Sequence, residues 1–274
     1  MLTVTKPEPG DSRMTTQDFI IGLFCRVDDA MNEMPKHSQA SLHPSEVVTI
    51  GVLFALKGSG NRAFYRWLQR DYRPLFPKLP ERTRLFRLLA THQEWTQRFL
   101  AQPSLLGVAD SYGIELLHPR RQGRSHNQIG KKGLSNLRWI VGAKICLVLN
   151  HLGQVVGWDC DAANVYDGHR FHPLIASIPM LVLADTGFHN KEGDPPNLKI
   201  CKKGYWNGRM VVETVHSMLT RVCHFKQVAH RVWTYLGARL AFTVAAFNLL
   251  TSWHGLEADP ETGFVTLSIA EFSL

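Results

Sequence analysis

The chain has 274 residues, 45% hydrophobic and 20% charged, enough for one large or two modest domains with a sizeable core. No window holds about 18 uninterrupted apolar residues, which argues against a membrane span. The five cysteines are odd in number and form no Cys-x-x-Cys pair, which points to reduced thiols in the cytoplasm. The net charge of +8 and a pI near 9.4 suggest a polyanionic partner, although many basic proteins bind none.

Residues 1–14 carry prolines and acids without an apolar stretch, so they read as a disordered leader and not as a secretion signal. TTQDFIIGLFCRVDDAMNEM begins with a threonine suited to an N-cap and spaces its apolar residues at helical period. SLHPSEVVTIGVLFALKG opens on Ser and Pro and stops at Gly58, as helices do. GNRAFYRWLQRDY and ERTRLFRLLATHQEWTQRFL predict two more amphipathic helices, joined by the proline-punctuated RPLFPKLP. Residues 15–102 therefore predict an all-helical N-terminal domain.

The texture changes near Gln102-Pro103. LLGVADSYGIELL is short and β-friendly, and RRQGRSHNQIGKKGLSN is a basic, glycine-rich loop. WIVGAKICLVLN, HLG and QVVGWDC read as strand, turn, strand. GHRFHPLIASI predicts a helix, MLVLAD a strand, NLKICKK a further strand, and WNGRMVVETVHSMLTRVCHF a strongly periodic helix. HRVWTYLGARLAFTVAAFNLLTSW is a long helix too apolar to be anything but buried. Strands mixed with helices over residues 103–256 predict an α/β layered domain. Residues 257–274 form an acidic tail.

Charge is unevenly distributed. From Leu116 to Trp158 there is no acid, while Arg120, Arg121, Arg124, Lys131, Lys132, Arg138 and Lys144 fall inside. From Thr214 to Leu256 there is again no acid, with Arg221, Lys226, Arg231 and Arg239 present. Such runs suit a phosphate backbone. Trp95, Trp139, Trp158 and Trp233 lie in apolar patterns and are expected in the core. His169 and His172 have no Cys/His spacing that would support a zinc site.

Three carboxylates stand out. Asp110 closes the apolar run LLGVAD and Asp185 closes MLVLAD. A single such aspartate is commonly a helix cap or turn residue. Two, each expected at the C-terminal end of a strand in one sheet, would place like charges at one edge, which a cation between them makes tolerable. The third is Glu213. In its helix Val211, Val215, Met218 and Val222 make the apolar stripe, and Arg209, Glu213, His216 or Ser217, and Thr220 the opposite side. Arg209, one turn before Glu213, is placed to hold that carboxylate or a phosphate. Asp159, Asp161 and Asp167 are lesser candidates, with Asp167 suited to capping the helix that follows.

This set resembles the DDE transposases of bacterial insertion sequences. The family's signature Tyr-x-x-Arg-x-x-x-Glu-x-x-x-x-x-x-Lys is met at Arg209 and Glu213, with Trp206 in place of Tyr and Thr220 in place of Lys, Arg221 following. ADSY at 109–112 resembles the first Asp motif. LADTGF at 183–188 resembles the second, with Thr186 where lysine is usual. AANVYD at 162–167 is similar to the segment after the family's third strand. The helical leader, through FCRVDD and HPSEVVTIGVL, resembles one transposase branch, so the likeness covers most of the chain.

The resemblance implies a ribonuclease-H-like mixed sheet with flanking helices, preceded by the helical domain, which would bind DNA ends or dimerise. It implies Asp110, Asp185 and Glu213 as catalytic residues and as ligands of two Mg²⁺ ions, with Mn²⁺ able to substitute. The partners implied are double-stranded DNA, both element terminal inverted repeats and target, and a second copy of the chain on that DNA. Arg120, Arg121, Arg124, Lys131, Lys132, Arg209, Arg221 and Lys226 are the expected DNA contacts, in a cytoplasmic, nucleoid-associated protein. A ribonuclease-H-like nuclease without strand transfer, and a DNA-binding relic without cleavage, stay open beside it.

Overall fold

The structure, a computed structural model, describes residues 14–126, 128–135, 138–202, 209–228, 230–256 and 267–274, with the side chains of residues 209 and 210 excepted. The expected leader, apart from Met14, and residues 257–266 of the expected acidic tail lie outside the described residues.

Four helices open the chain. In α1 (Thr16–Ala30) the Thr15 hydroxyl accepts the Asp18 N–H at 3.1 Å, an N-cap that satisfies one of the helix's orphan donors. In α2 (Pro44–Lys57) the Glu46 carboxylate reaches back to the His43 N–H at 2.6 Å, Pro44 pre-sets the first turn, and Gly58 ends the helix at φ +62°. Nearly every side of α2 is buried, from Val47 to Leu56. Next come α3 (Asn61–Asp71) and α4 (Arg82–Thr91). The sequence predicts α4 running on toward Leu100. Instead a 3-10 segment, Gln93–Phe99, follows a break at His92. There the His92 ring stacks on Trp95, and the Thr96 hydroxyl donates to the Gln93 carbonyl at 2.6 Å, competing with the helical bonds.

The rest of the fold is a six-stranded mixed sheet with helices on both faces. β1 (Leu106–Leu117) pairs antiparallel with β3 (Arg138–Asn150) along most of its length. The other edge of β3 is shared: residues 138–142 pair with β2 (Lys131–Ser135) and residues 143–149 with β4 (Val155–Ala162). β5 (Leu181–Ala184) runs parallel to β1, and β6 (Leu198–Ile200) parallel to β5. β2 was not separable in sequence from the basic loop that holds it. Its lysines and glycine give no apolar alternation. The predicted helix 168–178 is two short ones, α5 (Asp167–Arg170) and α6 (His172–Ala176). Pro173, lacking an N–H, starts the second afresh.

On one face of the sheet Ala109, Cys146, Val148, Val182 and Ala184 bury against Phe171, Ile175 and Phe188. On the other, Val108, Ile114, Ile145, Leu147 and Leu149 meet α7 (Arg209–Arg221) and α8 (Trp233–His254). α8 is apolar all round because it lies between the sheet and the N-terminal helices, packing on α2 and on the segment Gln93–Phe99. The helical half and this face of the sheet thus share one apolar cluster, in which each buried Leu or Phe contributes roughly 1.5–3 kcal/mol. The chain's last residues join it. Ile269 and Phe272 are buried, and Phe272 packs on Trp253 and Phe19. Among the described residues no helix is long and apolar enough to cross a membrane.

Candidate active site

The parallel pairing of β1 with β5 aligns Leu106 with Leu181, Gly107 with Val182 and Val108 with Leu183. The ladder stops there, two residues short of each aspartate, so Asp110 and Asp185 both follow just past its end. The expectation that both aspartates end strands holds for Asp185 alone. β1 continues for seven residues past Asp110, to Leu117, because Ser-Tyr-Gly-Ile keeps pairing with β3. What ends shortly before Asp110, at Val108, is the pairing with β5. Asp185 follows the last residue of β5 and caps a 3-10 turn, Thr186–Phe188, its Oδ1 accepting the Gly187 N–H at 2.9 Å. Asp110 Oδ1 accepts the Ser111 N–H at 2.9 Å.

A third carboxylate lies near Asp185. Asp167, the first residue of α5, accepts the Ser111 hydroxyl at 2.7 Å on Oδ2 and the Lys144 ammonium at 2.8 Å on Oδ1. The ion pair is largely buried, with the two side chains 12% and 14% exposed. A Cβ placed on Gly187 would lie 3.0 Å from Asp185 Oδ1 and 3.9 Å from Asp167 Oδ2, so both carboxylates look onto one spot. Asp159 and Asp161 are engaged elsewhere, both gripping Arg170. Burial raises the Asp161 carboxyl, but the hydrogen bonds from Arg170 and the Ala162 N–H outweigh it and hold it below the usual range. Lys144 and Ser111 were missed as site residues. The signal was there, a lone lysine in the apolar strand Ala-Lys-Ile-Cys. The Cys146 thiol beside them is pushed well up by burial first and then by Asp167, Asp110 and Asp159.

Glu213 is exposed on α7. The helix does cover the right face. His216, one turn on, stacks on Tyr112 of β1 at 4.6 Å between ring centroids, two residues past Asp110. His216, expected on the polar side, is therefore buried, and neither ring nitrogen has a hydrogen-bond partner among the described residues. Burial and then the charge of Lys226 bring its pKa down to about 4. Carboxylate oxygens are the hard donors that Mg²⁺ takes. Even so, among the described residues no group of three or more His, Cys, Asp or Glu side chains stands close enough to hold a metal ion. Asp110, Asp185 and Glu213 do not close around one here.

The basic residues lie around this face. Arg120, Arg121 and Arg124 are exposed after β1, and Lys131 and Lys132 are exposed on β2. Lys226 stands over the Tyr112 ring at 4.9 Å, on a groove of about 480 Å³ that also touches Ser135 and Arg138. Arg221 is exposed at the end of α7. Trp206 and the side chain of Arg209 lie outside the described residues. Two tryptophans expected in the core are on the surface: Trp139 is 56% exposed, with Lys132 against its ring, and Trp233 is exposed at the start of α8.

Compared with protein-family models, with curated proteins and with solved structures, the chain gives no match.

Proposed function

We propose that the chain is a DDE transposase, an enzyme that cuts DNA at the ends of an insertion sequence and joins the freed strand to a target. The observation that supports this reading is the parallel pairing of β1 with β5, which ends two residues before both Asp110 and Asp185, on a sheet packed against the helix that bears Glu213. A surface rich in Arg and Lys adjoins them. The expected mixed sheet with flanking helices is consistent with a ribonuclease-H-like core. Divalent ions, when bound, would supply an activated water and neutralise the departing oxygen. The chain's own part is to present the carboxylates from one sheet edge, to hold Asp167 neutralised by Lys144 beside them, and to grip phosphates with Arg120, Arg121, Arg124, Lys131, Lys132, Arg221 and Lys226.

A second reading, a DNA-binding protein that does not cut, is favoured by one observation: among the described residues no three His, Cys, Asp or Glu side chains gather closely enough to hold a metal ion. One assay separates them. A DNA carrying the flanking ends of the encoding gene is incubated with Mg²⁺ or Mn²⁺ and the protein, wild type beside Asp185→Asn and Glu213→Gln. The enzyme reading expects nicks at the element end from wild type and at least a hundredfold less from either variant, the scale of losing a group that acts on the reacting centre. DNA binding without nicks from any of the three establishes the second reading. Full cleavage by Glu213→Gln removes that residue from the site.

A further inference from the structure

Arg239 lies in α8 with 2% of its surface exposed. Its guanidinium donates to the carbonyls of Phe54 and Ala55, the latter at 2.9 Å, and lies over the Phe54 ring. Those carbonyls belong to the end of α2, whose dipole offsets about half a charge. Among the described residues no carboxylate pairs with it, and burial, opposed only by the Cys223 thiol, brings its pKa down to about 10. A buried charge is ordinarily paired or bound to a ligand, because desolvating it alone is costly.

What Arg239 faces is a cavity of about 550 Å³ between α3, α4 and the start of α8. Arg82, Arg231 and His230 line it as well, and among the described residues no Asp or Glu does. Two further polar atoms of its lining, Ser59 Oγ and His230 Nδ1, are buried without a hydrogen-bond partner. The first turns of α3 and α4 open on it through Asn61, Arg82 and Thr83, and neither helix has a side chain capping its N–H groups. His224 and His230, both close enough to feel Arg239, are held neutral by burial first and by that positive charge second, His230 down to about 4.

We propose that this cavity is a phosphate-binding site. A tetrahedral oxyanion would take the guanidinium forks, the Ser59 hydroxyl and the free helix N–H groups together. It would also supply the negative charge that the lining lacks. The space exceeds one phosphate and admits the sugar attached to it. Arg62 and Arg66 on α3 and Arg84 and Arg87 on α4 are exposed cations on the two helices whose first turns line the cavity, and a DNA backbone can lie on them. Identifying DNA as the source rests on the function proposed above. The site itself does not, since it lies apart from Asp110 and Asp185 and shares no lining residue with them.

The test uses the full chain, wild type beside Arg82→Gln/Arg231→Gln, with Arg239→Lys as a variant that keeps the buried charge but loses the fork. Thermal unfolding is followed with inorganic phosphate, then with a deoxynucleoside monophosphate, against sodium chloride of equal ionic strength. Binding of a short duplex is followed as a function of salt. Stabilisation by phosphate in wild type, absent in the double variant, identifies a site for free phosphate groups. A slope of log affinity on log salt shallower by about 1 to 2 in the double variant, with no effect of free phosphate, identifies the DNA backbone as the source. If the variants match wild type in both assays, the proposal is overturned. Asp185→Asn serves as the control. A nuclease reading that fails leaves the phosphate response intact, whereas a pocket that fails leaves cleavage chemistry untouched.

Discussion

Lys144 is an ammonium inside an apolar strand, and the Asp167 carboxylate 2.8 Å away is what makes it tolerable there. Removing one partner of a largely buried pair leaves the other charge uncompensated. Lys144→Met is therefore expected to lower the unfolding free energy by about 3–5 kcal/mol in urea titration. Lys144→Met/Asp167→Asn, which keeps an acceptor for the Ser111 hydroxyl, should recover most of that loss, and no recovery would show that the pair is not the unit. His216 gives the pH counterpart. Unfolded, its imidazole binds a proton below about 6.5. Folded, it stays neutral down to about 4, and so does His230. Between those limits the unfolded chain holds more protons, so stability should fall as pH drops from about 6.5 toward 4. His216→Phe keeps the stack on Tyr112 and discards the two unpartnered nitrogens. It should flatten part of that dependence, and a profile identical to wild type would exonerate His216. At this scale the place of Asp185 at the end of its strand is legible in sequence, because a buried strand does not carry an unpaired carboxylate in its interior. The place of Asp110 is not. That Asp110 follows the end of the same ladder depends on strand pairing, which no local pattern encodes.

Helices carry most of what the sequence makes legible among the elements. Caps and stops act locally, and Thr15, Pro44 and Gly58 do what those residues do in any chain. The failures lie where a tertiary contact or a small side chain decides. α4 ends at Thr91 despite unbroken periodicity, and β2 hides in a loop of lysines and glycines. Glycine 51 shows how closely two elements can be fitted without a sequence signal. It lies in the middle of α2, where glycine costs helix stability, and a Cβ there would run into the Phe242 ring of α8. Gly51→Ala should accordingly cost about 1–3 kcal/mol by overpacking, against the gain of about 1 kcal/mol that the same change brings on an exposed helix. Gly51→Ala/Phe242→Leu should relieve the clash. A Gly51→Ala variant more stable than wild type in thermal unfolding would mean that α2 and α8 part easily.

Across the whole molecule, the change of texture near Gln102-Pro103 marks where helices give way to strands, and the structure turns there too. What composition cannot say is whether the two halves have separate cores, because periodicity shows that a face is buried and not against what. α8 comes from the far end of the chain, yet Leu236, Leu240, Phe242, Phe247 and Leu250 lie in the same apolar cluster as Phe19, Val48, Leu53, Phe64 and Phe99. Cutting the chain at residue 102 would strip that side of α8 and leave the fragment 103–274 with several large apolar groups in water. At roughly 1.5–3 kcal/mol for each, the loss reaches the whole stability of an ordinary domain, about 5–15 kcal/mol. The fragment 103–274 is therefore expected to lack a cooperative thermal transition on its own and to regain one when co-expressed with 1–102. A sharp transition in 103–274 alone, at the temperature of the full chain, would show that α8 does not depend on the helices packed against it. The sheet edge that holds Asp110 and Asp185 would then stand without them.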